Sequence, residues 1–208
     1  MHTEDFSIAI QAGGKSSRMG QEKGLLKFRD QPLIEYILGQ LSGFGSETFI
    51  VSNQPHHYQA FGCSVYTDVF PETGPLGGLY SAIYHAKNDI CLVLACDMPI
   101  INHDLLNFLF HELGEFDAVI PRLKSNDYAE PFRAVYRKSC LDPIFLSLKR
   151  GEHRVISFFD YAKINFINNE EIIKYDPHFH SFTNINTTED LKAAERLAIV
   201  FESSGDDS

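Results

Sequence analysis

Apolar runs of strand length alternate with segments of helical apolar spacing from residue 6 onward, and few architectures accept that order. Phe6-Ser-Ile-Ala-Ile-Gln11, Thr48-Phe-Ile-Val-Ser52, Ile90-Cys-Leu-Val-Leu-Ala95 and Ala118-Val-Ile120 read as strands. Between them, Pro32 to Leu41 carries apolar residues at 33, 34, 37, 38 and 41, with Pro at the first turn of the helix this spacing predicts. Leu79 to Ala86 and Leu105 to Leu113 repeat the helical pattern. Ile90 to Ala95 is a continuous apolar run, as expected of a strand covered on both faces. The order therefore predicts βαβ units in an α/β fold of three layers, a mostly parallel central sheet with helices on both faces.

Beyond Pro121 the pattern loosens. Ala134 to Tyr136 reads as a strand and Cys140 to Leu148 as a helix. Thr187-Thr-Glu-Asp190 opens a last helix to about Val200, with a Thr or Asn cap and early acidic residues. No repeat or long linker divides the chain, so one domain is expected over 1–200, followed by a small, acidic, disordered tail at 201–208.

Composition narrows the function classes. With 208 residues and 44% apolar content, the chain can bury a core without disulfides or a structural metal. Eighteen Lys and Arg against 28 Asp and Glu give a formal charge of -10, which disfavours nucleic-acid and anionic-membrane partners. No apolar stretch approaches the ~20 residues of a membrane span, and Met1 to Asp5 lacks the order of a secretory signal. A cytoplasmic protein is the expectation. Four scattered cysteines without a CxxC pair read as buried free thiols, and the nine histidines form no zinc spacing.

The most informative stretch follows the first strand: Ala12-Gly-Gly-Lys-Ser-Ser-Arg-Met-Gly-Gln-Glu-Lys23. Gly13 and Gly14 let backbone N–H groups approach an anion, and Lys15, Arg18 and Lys23 add three cations within nine residues. Loops at the carboxyl end of a first parallel strand are also where open α/β sheets bind ligands. These features point to a polyphosphate, the plain alternative being a glycine turn with solvated charges. Gly14-Lys15-Ser16 suggests a P-loop, but the first glycine of that motif would fall on Ala9, inside the strand. The GxGxxG fingerprint fails as well, because Gly13 and Gly14 are adjacent.

Asp97 stands where a buried strand emerges, before Met98-Pro99. A carboxylate there, facing a phosphate loop, suits Mg²⁺, which takes few protein ligands and keeps its other positions for phosphate oxygens and water. The alternative is a helix cap, for which Asn102 is better placed. Asp68 to Gly78 holds three glycines and two prolines in eleven residues, which predicts a shaped loop able to approach a planar ligand.

Together these residues resemble a known family. Gln11-Ala-Gly-Gly-Lys-Ser-Ser-Arg-Met-Gly-Gln-Glu-Lys23 is similar to the LAGGxSxRMGxDK signature of the MobA-type nucleotidyltransferases. Gly74-Pro-Leu-Gly-Gly78 and Cys96-Asp-Met-Pro99 match two further motifs in order. Glu130-Pro-Phe-Arg-Ala-Val-Tyr136 and Asn184-Ile-Asn-Thr-Thr-Glu-Asp-Leu191 resemble C-terminal ones. The resemblance implies a Rossmann-like nucleotidyltransferase fold and transfer of GMP from GTP to molybdopterin, with Mg²⁺ as cofactor and pyrophosphate released. On it, Gln11, Ala12, Gly13 and Gly14 contact GTP through the loop, and Lys23 binds its phosphates. Arg18 neutralises the leaving pyrophosphate, Asn53 and Asp68 lie in the guanosine pocket, and Asp97 holds Mg²⁺. Partner proteins that deliver molybdopterin or mature molybdoenzymes are implied too. Gln11 replaces the family's usual Leu and Glu22 its usual Asp; neither removes a charge the chemistry needs.

From Arg122 to Arg154 eight Lys and Arg face four Asp and Glu, a local excess of +4. Arg133, Arg137, Arg150 and Arg154 are therefore candidates to face the pterin phosphate, against the alternative of a solvated mixed-charge surface. Rival activities are a molybdenum cofactor cytidylyltransferase or another transferase of the same fold, and a nucleotide-binding module without turnover. Gly74 to Gly78 and Cys96 to Pro99 favour the guanylyl branch; Lys23 and Asp97 argue against a module that only binds.

Overall fold

The computed structural model describes residues 5–13, 22–123 and 128–205. Its strands are β1 (Phe6–Gln11), β2 (Lys27–Phe28), β3 (Gln31–Pro32), β4 (Glu47–Val51), β5 (Ser64–Tyr66), β6 (Ile90–Ala95), β7 (Ala118–Leu123), β8 (Tyr128–Ala129), β9 (Arg133–Arg137) and β10 (Ile164–Ile167). The α-helices are α1 (Leu33–Gln40), α2 (Gly74–His85), α3 (His103–His111), α4 (Leu141–Lys149), α5 (Asn169–Ile172) and α6 (Thr188–Gly205).

The main sheet runs β10-β7-β9-β6-β1-β4-β5, with β8 paired to β7. β1 is parallel to β4 and β6, β4 to β5, and β7 to β10. Only β9, between β6 and β7, and the short β8 run antiparallel in it. The expected three-layer α/β architecture is present. Strand periodicity builds it: Ile8, Ile10, Leu92 and Leu94 point into one core, Ala9, Cys91 and Val93 into the other. On the first face pack α1, α3, α5 and α6, through residues such as Ile37, Leu109, Ile172 and Ala194. On the second pack α2 and α4, through Leu79, Ile83 and Ile144, with Phe158 of a 3-10 turn. Ile8, Ile10, Leu92 and Leu94 are fully buried, each adding about 1.5–3 kcal/mol of transfer free energy.

Three features depart from the sequence reading. Gly74 to Gly78 is not loop but the start of α2: Gly74 opens the helix at φ 67, and Pro75 fits the first turn. The last helix continues to Gly205, past the expected boundary at Val200. Cys63 is half-buried while Cys91, Cys96 and Cys140 are buried, all four free; burial pushes the Cys96 and Cys140 thiols up to about 12. Asn102 caps α3, accepting from the Leu105 amide at 3.0 Å. No helix among the described residues is long and apolar enough to cross a membrane.

Chain order places the functional edge. After β1 the chain moves outward to β4 and β5, then crosses back to β6 on the other side of β1. This reversal leaves a crevice at the carboxyl ends of β4, β1 and β6, where open α/β sheets bind ligands.

Candidate functional site

At that edge the ladder continues one residue past the strands: Ala12 N donates to Val51 O (2.9 Å) and Cys96 N to Gln11 O (3.0 Å). The next residue, Asp97, accepts from Lys23, whose Nζ lies 2.8 Å from Asp97 Oδ2. Lys23 Nζ also donates to Asn186 Oδ1 at 2.8 Å, and Ile185 N to Asp97 O at 2.8 Å. The Lys23 and Asp97 side chains are 20% and 23% exposed, open enough for a ligand to reach. Asn186 is held by the start of α6: Asp190 accepts from the amides of Asn186 (3.0 Å) and Thr187 (2.9 Å), and Asp190 N donates to Thr187 Oγ1 (3.1 Å). Those bonds, the Asn186 amide first, keep the Asp190 carboxyl below its ordinary value.

A second polar pair sits beyond β4. Asn53 Nδ2 donates to Asp68 Oδ2 (2.7 Å) and Asp68 N to Asn53 Oδ1 (3.2 Å). The adjoining backbone is anchored to α2, with Val69 N donating to Ser81 Oγ (2.9 Å) and Ser81 Oγ to Gly77 O (2.7 Å). Two glycines of α2 pack closely, Gly77 with no room for a side chain and Gly78 against the Gln11 amide. A Cβ on Gly77 would fall 1.8 Å from Thr73 Oγ1, and one on Gly78 3.1 Å from Gln11 Oε1. The Gln11 side chain ties β1 to α2 by donating from Nε2 to Gly78 O.

The structure thus joins Lys23 to Asp97 and Asn53 to Asp68, and sets Gln11, Ala12 and Gly13 on the same edge. Ala12 spends its amide on Val51 O, so it offers a ligand its carbonyl rather than its N–H. Gly13 is exposed, with open space around its Cα. Gly14, Lys15 and Arg18 lie outside the described residues. Glu22 meets His57, Oε2 to Nδ1 at 3.2 Å, just before the turn that carries Lys23. Nothing in the sequence singles out Asn186: a neutral amide gives no charge signal, and only its place in the Asn184 to Leu191 motif points to it.

The basic stretch does not form one patch. Arg133 is fully buried. Arg137 lies opposite Ile90, at the far end of β6 from Asp97, and pairs with Asp89 at 3.0 Å. Arg150 pairs with Glu152 (3.0 Å) and covers the Tyr161 ring. Arg154 is exposed beside the start of α2, where Leu76 N donates to the carbonyl of His153 (3.3 Å). Counting charges along the chain cannot separate buried, paired and free cations.

Glu130, opening the β9 segment, has a carboxyl pushed up to about 7: burial raises it, Arg133 opposes, and Asp97 adds to the rise. The folded chain therefore holds this proton more tightly than the unfolded one, whose carboxyl titrates near its ordinary 4.5. This group's contribution to stability is greatest below that value and is lost as pH rises to about 7. Thermal melts between pH 5 and 8 should show the wild type losing a few degrees more than Glu130→Gln. Parallel curves for the two would contradict the assignment.

The chain is similar to proteins already known. The family model described as MobA-like NTP transferase domain matches residues 8–163. A Clostridium perfringens protein named "Probable molybdenum cofactor guanylyltransferase" is 37% identical over 189 residues, covering 89% of this chain and 94% of its own. The molybdenum cofactor guanylyltransferase of Syntrophotalea carbinolica is 31% identical over 190 residues, covering 91% and 90%. Among solved structures, the molybdopterin-guanine dinucleotide biosynthesis protein A of Archaeoglobus fulgidus superposes with a TM-score of 0.79 at 28% identity, covering 92% of this chain and 98% of that one.

Proposed function

Because the chain belongs to the MobA-like NTP transferase family, we propose that it is a molybdenum cofactor guanylyltransferase, moving GMP from GTP to molybdopterin with release of pyrophosphate. The observation that carries this reading is the meeting of Lys23, Asp97 and Asn186 at the carboxyl edge of the sheet, the edge on which Gly13 follows β1.

The donor set suits magnesium. One carboxylate at a strand end, with an amide oxygen beside it, is the sparse oxygen environment in which Mg²⁺ keeps phosphate and water ligands. Asp97 would hold the ion, which when bound lowers the charge on the phosphates. The chain's residues do the rest. Lys23 pairs with the triphosphate oxygens in place of Asp97, and Arg18 receives the charge of the departing pyrophosphate. Gln11, Ala12, Gly13 and Gly14 set the loop against the nucleotide, while Asn53 and Asp68 hold the guanosine. A terminal phosphate oxygen of molybdopterin attacks the α-phosphorus in line; that P–O bond forms as the bond to the β-phosphate bridging oxygen breaks, and the electron pair leaves on pyrophosphate. The attacking oxygen is already anionic near neutral pH, so no general base is needed. Positioning and charge neutralisation supply the rate. Arg154, exposed beside α2, is the remaining candidate of the basic stretch for the second anion. Proteins that bring molybdopterin or take the product follow from the same reading, as does a cytoplasmic location.

Pyrophosphate release measured with molybdopterin, Mg²⁺ and either GTP or CTP tests the reading. GTP should support turnover at least about tenfold faster than CTP, a specificity available to a site that hydrogen-bonds one base edge. Equal rates, or a preference for CTP, would overturn the guanylyl assignment.

A further inference from the structure

Arg133 is the largest fully buried side chain among the described residues, and it stands on β9 opposite Leu94. Its Nη2 donates to Met98 O at 2.7 Å, while Nε and Nη1 have no hydrogen-bond partner among the described residues. No described carboxylate forms an ion pair with it; Asp176, Glu130 and Asp97 act on it only through their charge. Burial lowers the guanidinium to about 10, so it stays protonated at neutral pH. A buried cation without a close counter-ion destabilises a fold, and an apolar side chain of similar volume would serve a core better. Its neighbours Ala134 and Val135 show what the strand otherwise places there.

The place of this exception is informative. Three consecutive carbonyls of the loop after β6 are each held by a different element. Asp97 O accepts from Ile185 N (2.8 Å) just before α6, Met98 O from Arg133 on β9, and Pro99 O from Gln40 Nε2 (2.8 Å) at the end of α1. Met98 itself is 2% exposed. The two flanking anchors are neutral, and the middle one alone brings a charge, which the Asp97 carboxylate feels.

We propose that Arg133 is a positioning residue of the transfer site: by holding the Met98 carbonyl it fixes the peptide planes beside Asp97, and with them the direction in which Asp97 meets Lys23 and a polyphosphate. Its charge also offsets repulsion between Asp97 and the incoming anion. This role rests on the nucleotidyl-transfer reading, but the anchoring itself can be observed without nucleotide. Unsatisfied donors kept at a functional position are the usual mark of stability given up for function.

The experiment compares wild type, Arg133→Leu and Arg133→Lys by thermal melting, by steady-state kinetics across a Mg²⁺ titration, and by methyl NMR of methionine-labelled protein. Only three methionines are present, so the Met98 signal is assignable. Arg133→Leu should melt no lower than wild type, yet its kcat should fall about 10- to 100-fold and its half-saturating Mg²⁺ rise severalfold. Its Met98 methyl signal, read without nucleotide, should broaden or split. Arg133→Lys, which keeps the charge and one donor, should recover part of kcat and a single Met98 signal. An unchanged, sharp Met98 signal in Arg133→Leu overturns the anchoring, and so does full activity in that variant. Activity loss that only follows a lowered melting temperature in both variants would reduce Arg133 to a structural residue. A wild type inert towards GTP would instead defeat the guanylyl reading, leaving the Met98 signal to decide the anchoring.

Discussion

Replacing Asp97 with Ala should lower pyrophosphate release by at least about a thousandfold, while the melting temperature moves by no more than about 3 °C. The two readouts separate because Asp97 is partly exposed and its pair with Lys23 is screened by water, so little folding free energy depends on it. The chemistry, by contrast, depends on it: among the described residues Asp97 is the carboxylate that bonds Lys23 just past the end of β6. Asp97→Asn separates charge from shape. It can still accept from Lys23, but it presents no anion to a metal, and its activity should stay close to that of the alanine variant. Turnover in Asp97→Ala within tenfold of wild type would end the proposed metal role.

Lys23→Met should raise the apparent KM for GTP by about 30- to 100-fold and lower kcat as well, since removal of a buried-edge cation from a phosphate site costs about 2–4 kcal/mol. Methionine keeps the length and apolar stem of lysine, so the turn from Lys23 to Leu25 is retained. In its absence Asp97 and Asn186 both lose the donor they share, 2.8 Å from each. Isothermal titration with a non-hydrolysable GTP analogue would show the loss directly. Binding as tight as wild type would mean that Lys23 serves only to hold Asp97 in the free protein.

Which parts of this molecule are legible in its sequence depends on how many faces a segment buries. β1 and β6 are covered on both sides, and their apolar runs announce them without ambiguity. The edge strands do not. β5 is three residues with an exposed serine, and β10 carries Asn165, whose amide turns away to donate to Glu112 O at 3.1 Å. The hairpin of β2 and β3 turns through Arg29 and Asp30 at φ 47 and 68, left-handed positions that ordinarily attract glycine or asparagine, so no turn signal precedes it. At Gly74 to Gly78 residues that usually break helices mislead, because there they start one and let it lie against Thr73 and Gln11.

The candidate site divides along the same line. Lys23 stands out as a cation in the glycine-rich stretch after the first strand, Asp97 as a carboxylate where an apolar strand ends, and Asn53 with Asp68 through the family resemblance. Asn186 contributes only an amide oxygen, and its partner is 163 residues away. Arg133 is a candidate for the pterin phosphate by sequence because a local charge count carries no information about depth; its place on β9 beside β6 and its full burial turn it inward.

The bond from Lys23 to Asn186 also orders events in time. The sheet is complete by Ile167, yet the polar cluster at its edge lacks a member until the segment before α6 docks. Contacts spanning so much chain form late, since a long loop must close before they contribute. A newly made or refolding chain therefore becomes compact before it becomes competent. Any lesion that delays or loosens the C-terminal helix would produce a protein with native strand content but an incomplete site.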